Sequence, residues 1–166
     1  MLDNNKILNL IDRKTPLFKQ DIDNYKDRIK NIVTKSRFLV IGGAGTIGNA
    51  VVKEIFSRSP LVLDVIDLSE NNLVEVVRDL RSTIGYINGE FNTYALDVGS
   101  IEFKNLFLSK EYDYILNLSA LKHVRSEKDP YTIMRMIQVN IINNLKLLDL
   151  IKMKNVKNYF CVSTDK

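Results

Sequence analysis

The chain has 166 residues, enough for one domain with a substantial core and too few for a second. Apolar residues make up 45% and charged residues 27%, and a net charge of +4 is scattered apart from a lysine cluster over residues 146–157, which gives no basis for a nucleic-acid surface. No apolar run approaches the roughly 18 residues of a membrane span, the polar N-terminus is no signal peptide, and a single cysteine, Cys161, excludes an internal disulfide, so a cytoplasmic protein is expected.

Residues 1–36 read as a helical extension ahead of a domain over residues 37–166. Ile7, Leu10 and Ile11 form a short stripe, Pro16 interrupts it, and Ile22, Tyr25, Ile29, Ile32 and Val33 continue at helical spacing. Asp21 and Asp23 suit the positive end of that second helix. The extension could cover a sheet edge, mediate oligomerisation or approach a cofactor; packing is the simplest of these.

Phe38-Leu-Val-Ile41 is an unbroken apolar run, the habit of a parallel strand buried on both faces. Four of the seven glycines then fall in Gly42-Gly-Ala-Gly-Thr-Ile-Gly48, and Val51, Val52, Ile55 and Phe56 form the stripe of a following helix. Strand, glycine turn and helix are the context a dinucleotide fingerprint requires. Gly42 and Gly43 permit a tight turn, Gly45 lets the backbone approach a pyrophosphate, and Gly48 lets the helix pack on the strand. The free amides at the helix start, around Thr46, Ile47 and Gly48, would face the phosphates.

A second strand, Leu61-Val-Leu-Asp-Val-Ile-Asp67, ends in a carboxylate nineteen residues beyond Gly48. Asp67 is placed to accept from an adenosine ribose and to repel a 2′-phosphate, which favours NAD over NADP; the alternative is an ordinary strand-end aspartate. Ser69 is a cap for a helix with Leu73, Val76, Val77 and Leu80 inward, and Glu70 suits its first turn. A turn over residues 85–89 leads to Phe91-Asn-Thr-Tyr-Ala-Leu-Asp97. There Asp97 and the amide of Val98 could meet an adenine, or Asp97 could simply open the loop to a helix over residues 100–109.

Tyr114-Ile-Leu-Asn-Leu-Ser119 is a fourth strand, and Asn117, Ser119 and Ala120 at its end leave room for ribose and pyrophosphate. Lys122 and His123 follow; without a visible partner, His123 reads as structural or substrate-orienting rather than as a base. Pro130 opens a long helix expected to bury Ile133, Ile137, Ile141, Leu145 and Leu148. Asn140, oddly polar beside that stripe, either braces a loop or is exposed. Tyr159-Phe-Cys-Val-Ser163 is a fifth strand, with Cys161 inside an apolar run and Thr164, Asp165 and Lys166 at its end. A carboxyl group beside an ammonium can donate and accept protons if burial shifts both toward neutrality; the alternative is a solvated Asp–Lys pair. No metal-ligand cluster is present.

Strand–helix alternation implies an α/β, Rossmann-type doubly wound parallel sheet of five strands in the order 3-2-1-4-5. The glycine loop, Asp67, Asp97, residues 117–122 and residues 163–166 would then share one rim, where such sheets bind ligands.

Together, the glycine loop, Asn117-Leu-Ser-Ala-Leu-Lys-His-Val124, Asp129-Pro130 with Asn140, and Val162-Ser-Thr-Asp-Lys166 resemble the bacterial polysaccharide-biosynthesis branch of the extended short-chain dehydrogenases/reductases, the UDP-N-acetylglucosamine 4,6-dehydratases and their relatives. The resemblance implies a bound NAD (or NADP), a UDP-sugar substrate and an internal redox cycle through a 4-keto sugar. It implies that Asp165 is the acid at C6, Lys166 the base at C5 and Thr164 an orienting group, and that the full-length protein is a homo-oligomer. The family's Tyr-x-x-x-Lys pair is absent from these residues, so the expectation is the cofactor-binding portion of a longer enzyme, without turnover of its own. A nucleotide-sugar epimerase and a non-catalytic NAD-sensing module are the alternatives.

Overall fold

Short apolar runs separated by capped amphipathic helices leave few ways to bury both faces of a sheet. In the computed structural model, which describes residues 8, 10–13, 15, 16, 18–121 and 129–162, the strands form a five-stranded sheet in the order β3-β2-β1-β4-β5. The chain divides into two compact units, Met1–Ile32 and Val33–Lys166. Helix α1 (Lys19–Thr34) has Asp21 in its first turn, and Ile22, Tyr25, Ile29 and Ile32 along it are exposed.

In the second unit, β1 (Arg37–Ile41) is central, with β2 (Val62–Asp67) and β3 (Glu90–Ala95) on one side and β4 (Tyr114–Asn117) and β5 (Asn158–Cys161) on the other. All pairings are parallel, and Val40 stands level with Val65 of β2 and Leu116 of β4. Successive residues of β1 point to opposite faces. Phe38 and Val40 therefore join Val52, Phe56, Leu63 and Leu80 in one core layer, while Leu39 and Ile41 join Phe103, Phe107, Ile115 and Leu147 in the other.

Helix α2 (Thr46–Phe56) follows the glycine loop and buries Val52, Ile55 and Phe56. Helices α3 (Glu70–Thr83) and α4 (Ile101–Ser109) are capped as their sequences require: Ser69 accepts from the amide of Asn72, and Ser100 from that of Phe103. Asp129 caps α5 (Pro130–Ile137) through the amide of Thr132, with Pro130 in the first turn. A π-helical turn, Gln138–Ile142, joins α5 to α6 (Asn143–Lys152).

One expectation fails here. The stripe Ile133, Ile137, Ile141, Leu145 and Leu148 is exposed; α6 instead turns Asn143, Leu147 and Leu150 inward, toward the layer that holds Phe103 and Phe107 of α4. Two faces of this helix are apolar, and the extra residue of the π turn shifts the phase of everything after it, so a 3.6-residue period cannot say which face is inward. Cys161 is also exposed, because β5 is an edge strand with only Tyr159 half-buried among its four residues.

Candidate functional site

At the carboxyl end of β1 the chain must turn sharply and still reach the next helix. Gly42 adopts φ 74°, a conformation that side chains disfavour, and a Cβ there would lie 2.7 Å from the amide nitrogen of Ser119 beyond β4. The amides of Gly42 and Gly43 both donate to the carbonyl of Ile66, which lays the loop across the end of β2. A Cβ at Gly48 would collide with the carbonyl oxygen of Gly42, so the close seating of α2 on the loop demands glycine.

Gly45 differs. A Cβ built on it meets nothing nearer than Gly42 O at 3.5 Å, so packing within the protein does not require glycine there. The position lines a cavity of about 240 Å³ on the carboxyl edge of the sheet, at the β1–β4 divide where strand order reverses. Gly45 is also the N-cap of α2 and offers no side chain to its first-turn amides, which Thr46, Ile47 and Gly48 open. Thr46 and Ile47 are exposed on this turn. The uncapped amides, the helix dipole and the free space beside Gly45 together suit a diphosphate.

Asp67, at the end of β2, lines the same cavity. Its Oδ2 accepts from the amide of Ala44 at 3.0 Å and its Oδ1 from that of Ser69 at 3.0 Å, so the carboxylate ties the glycine loop to the start of α3. Each oxygen keeps a second acceptor direction for a ligand hydroxyl.

Asp97 and Val98, just beyond β3, form another wall. Asp97 accepts from the amide of Gly99 at 2.8 Å, from Asn143 Nδ2 at 3.3 Å and from Arg135 Nη2 at 2.7 Å. Burial pushes its carboxyl up, but the Arg135 guanidinium and the Gly99 amide outweigh that and hold it below the ordinary aspartate value.

Beyond β4, Ser119 and Ala120 reach the cavity, while Asn117 does not. Asn117 is buried, accepts from Ser119 Oγ at 2.7 Å and donates to Asn144 Oδ1, so it shapes the loop from behind. Asn140 braces rather than lying free. Its amide donates to Leu121 O and accepts from Leu121 N, both at 2.9 Å, and so clamps the backbone of one residue of the cavity wall on both sides of its Cα. Tyr159 OH lies 3.4 Å from Asn117 Nδ2, and burial above all pushes the phenol up to about 12, which leaves a neutral donor at pH 7. Lys122, His123, Thr164, Asp165 and Lys166 lie outside the described residues.

Sequence reading missed Arg135, Gln138, Asn143 and Asn144. A signal existed: Asn140, Asn143 and Asn144 put three amides at i, i+3 and i+4 on one helix, and each bonds a different loop or strand end, at Leu121, Asp97 and Asn117. Among the described residues, no group of three or more His, Cys, Asp or Glu is placed to hold a metal ion. Nor is any helix among them long and apolar enough to cross a membrane.

Residues 38–166, from β1 onward, match the family described as polysaccharide biosynthesis protein. The chain belongs to this family. It is 28% identical over 151 residues to an uncharacterized membrane protein of Methanocaldococcus jannaschii, covering 89% of this chain and 39% of the relative. It is 26% identical over 129 residues to protein CapI of Staphylococcus aureus, covering 77% of this chain and 37% of that one. The chain thus spans well under half the length of these curated relatives. Among solved structures, the fold is shared with a UDP-glucose-4-epimerase from Stenotrophomonas maltophila with bound NAD, at a TM-score of 0.63 and 22% identity, over 78% of this chain and 37% of the other.

Proposed function

We propose that this family member holds NAD across the carboxyl edge of its sheet, and that the whole protein is a nucleotide-sugar 4,6-dehydratase acting on a UDP-N-acetylglucosamine-like substrate. The observation that supports the cofactor site is Gly45: the protein leaves room for a side chain where the sequence supplies none, beside an uncapped helix start. The diphosphate would rest on the amides of residues 45–48, the adenosine ribose on Asp67 and the base against Asp97 and Val98. Asp67 is tied to the loop through the amide of Ala44, and a carboxylate at this position favours ribose hydroxyls over a 2′-phosphate and NAD over NADP. Ser119 and Ala120 would leave space for the inner ribose, with Asn117 and Asn140 fixing their loop.

The dehydratase reading rests on the motifs around Lys122 and over residues 162–166. Bound nicotinamide would supply a hydride acceptor for sugar C4 and a donor for C6. Lys166 would remove the C5 proton acidified by a 4-keto group, and Asp165 would protonate the departing C6 hydroxyl. Thr164 would orient the sugar, with Lys122 close to the cofactor.

A second reading, a 4-epimerase, gains support from the solved relative named above. NMR of the full-length protein's product from UDP-N-acetylglucosamine separates them. A C6 methyl signal supports dehydration; inversion at C4 with C6 intact establishes the epimerase. Failure of the 166-residue chain to bind NAD in a calorimetric titration overturns the cofactor site itself.

A further inference from the structure

All residues of α1 from Lys19 to Ile32 are exposed. Helices of this length are marginal in water by themselves, and most draw their stability from packing an apolar face. Intrinsic preference does not make up the difference, because Asp21, Asp23, Asn24, Asp27 and Asn31 are weak helix formers. The apolar residues nonetheless fall on one line. Ile22 and Ile29 are one heptad apart, and so are Tyr25 and Ile32. With the first pair at positions a and the second at positions d, they form the seam of a short coiled coil. Ile22, Tyr25 and Ile29 are 52%, 51% and 40% exposed, so the seam faces water.

The flanking charges distinguish the ways in which such a seam can close. Asp21 and Arg28 take positions g, Lys19 and Lys26 positions e, and Asp27 is at f, on the far side of the helix. In a parallel, in-register pair each g residue faces the following e residue of the other helix. Asp21 then meets Lys26 of the second copy, twice by symmetry, and no like charges are opposed. An antiparallel pair centred on the same seam would set Lys26 against Lys26 and Arg28 against Arg28. The polar face mixes three aspartates with four basic residues, which suits a second copy better than an anionic membrane surface. We propose that α1 is a self-association element, its seam closing on that of a second copy in a parallel two-stranded coil. β-Branched Ile22 and Ile29 at the a positions suit two strands. The contact is isologous, so it closes at two chains. The inference is independent of the NAD reading and holds whether or not the cavity takes a dinucleotide.

The experiment is sedimentation equilibrium of the 166-residue chain under reducing conditions. Between about 10 and 500 µM the mass is expected to rise from one chain toward two, as a weak pairing of two heptads requires. Ile22→Glu with Ile29→Glu should raise the dissociation constant about tenfold or more. Lys26→Asp sets Asp21 against an aspartate and should weaken the dimer, and adding Asp21→Lys should restore it. Register is read by oxidation in a Cys161→Ser background: Ile29→Cys should form an interchain disulfide, and Asp27→Cys should not. A chain that stays monomeric throughout overturns the inference, as does a monomer that floats with vesicles of phosphatidylcholine and phosphatidylserine. So does a dimer that survives the glutamate pair and breaks instead with Ile141→Glu and Leu145→Glu on the long helix. Failure of the double charge exchange to restore association overturns the parallel pairing and the inference with it.

Discussion

A methyl group added at Gly48 would drive into the carbonyl of Gly42, and nothing in that turn can yield without moving the loop off β2. Gly48→Ala is therefore expected to destabilise the fold by about 1–3 kcal/mol, the usual cost of overpacking, measured by urea unfolding. Gly45→Ala should cost less than about 1 kcal/mol, since φ at that residue is −73° and its Cβ has room, yet weaken NAD about tenfold or more in titration. Large losses of stability in both variants would contradict the division between packing and ligand glycines. Asp97 gives a pH signature at the same scale. Its folded pKa lies below the ordinary 3.8, so its contribution is fully present above that value and is lost as pH falls through the lower folded value. Asp113 is shifted in the same direction, so the check is the ¹³C carboxyl shift of Asp97 itself, expected to titrate below 3.8 in the wild type and closer to 3.8 in Arg135→Ala. The glycine loop, Asp67 and Asp97 were legible because each closes a local pattern of strand and turn. Arg135 was not, because only the packed fold brings the last turn of α5 to the end of β3.

Helix periodicity identified α2 and α3 with their inward faces, since each has one apolar stripe and a polar remainder. It misassigned α5 and α6, where two apolar faces compete and the π turn resets the phase between them. The same turn carries Asn140, whose two bonds to Leu121 tie this helix to the loop after β4. Asn140→Ala should cost about 1 kcal/mol, since the half-buried Leu121 groups lose both partners but can still reach water, and speed hydrogen exchange at the Leu121 amide. Unchanged protection there would show that the clamp is dispensable. A second device joins β2 to its neighbours, and alternation gave no hint of it. Asp64 is fully buried, and its carboxylate is met by Lys110 at 2.7 Å, Tyr112 at 2.6 Å and Asn92 at 2.8 Å. Burial alone would depress Lys110, but Asp64 and Tyr94 raise its pKa above the ordinary lysine value, so the ammonium stays charged at neutral pH. Lys110→Met leaves that carboxylate without its cation and is expected to cost about 3 kcal/mol in urea unfolding.

Across the whole molecule, the sheet order and the rim shared by the glycine loop, Asp67, Asp97 and Ser119 follow from strand–helix alternation and the handedness of crossovers. What alternation does not carry is how the outer elements are covered. Ile137, Ile141 and Leu145 on the long helix are exposed although periodicity reads them as core, and Phe160 and Cys161 on β5 are exposed as well. Such a surface should bind the dye anilinonaphthalene sulfonate in the native state, and Ile141→Glu with Leu145→Glu should reduce its fluorescence without loss of secondary structure. The position of the thiol has a practical side. With one cysteine in the chain, and that one open to solvent at the end of an edge strand, a maleimide fluorophore would attach at a single known point without any engineering. Its emission could then report on ligand arrival along the neighbouring rim, one label per polypeptide.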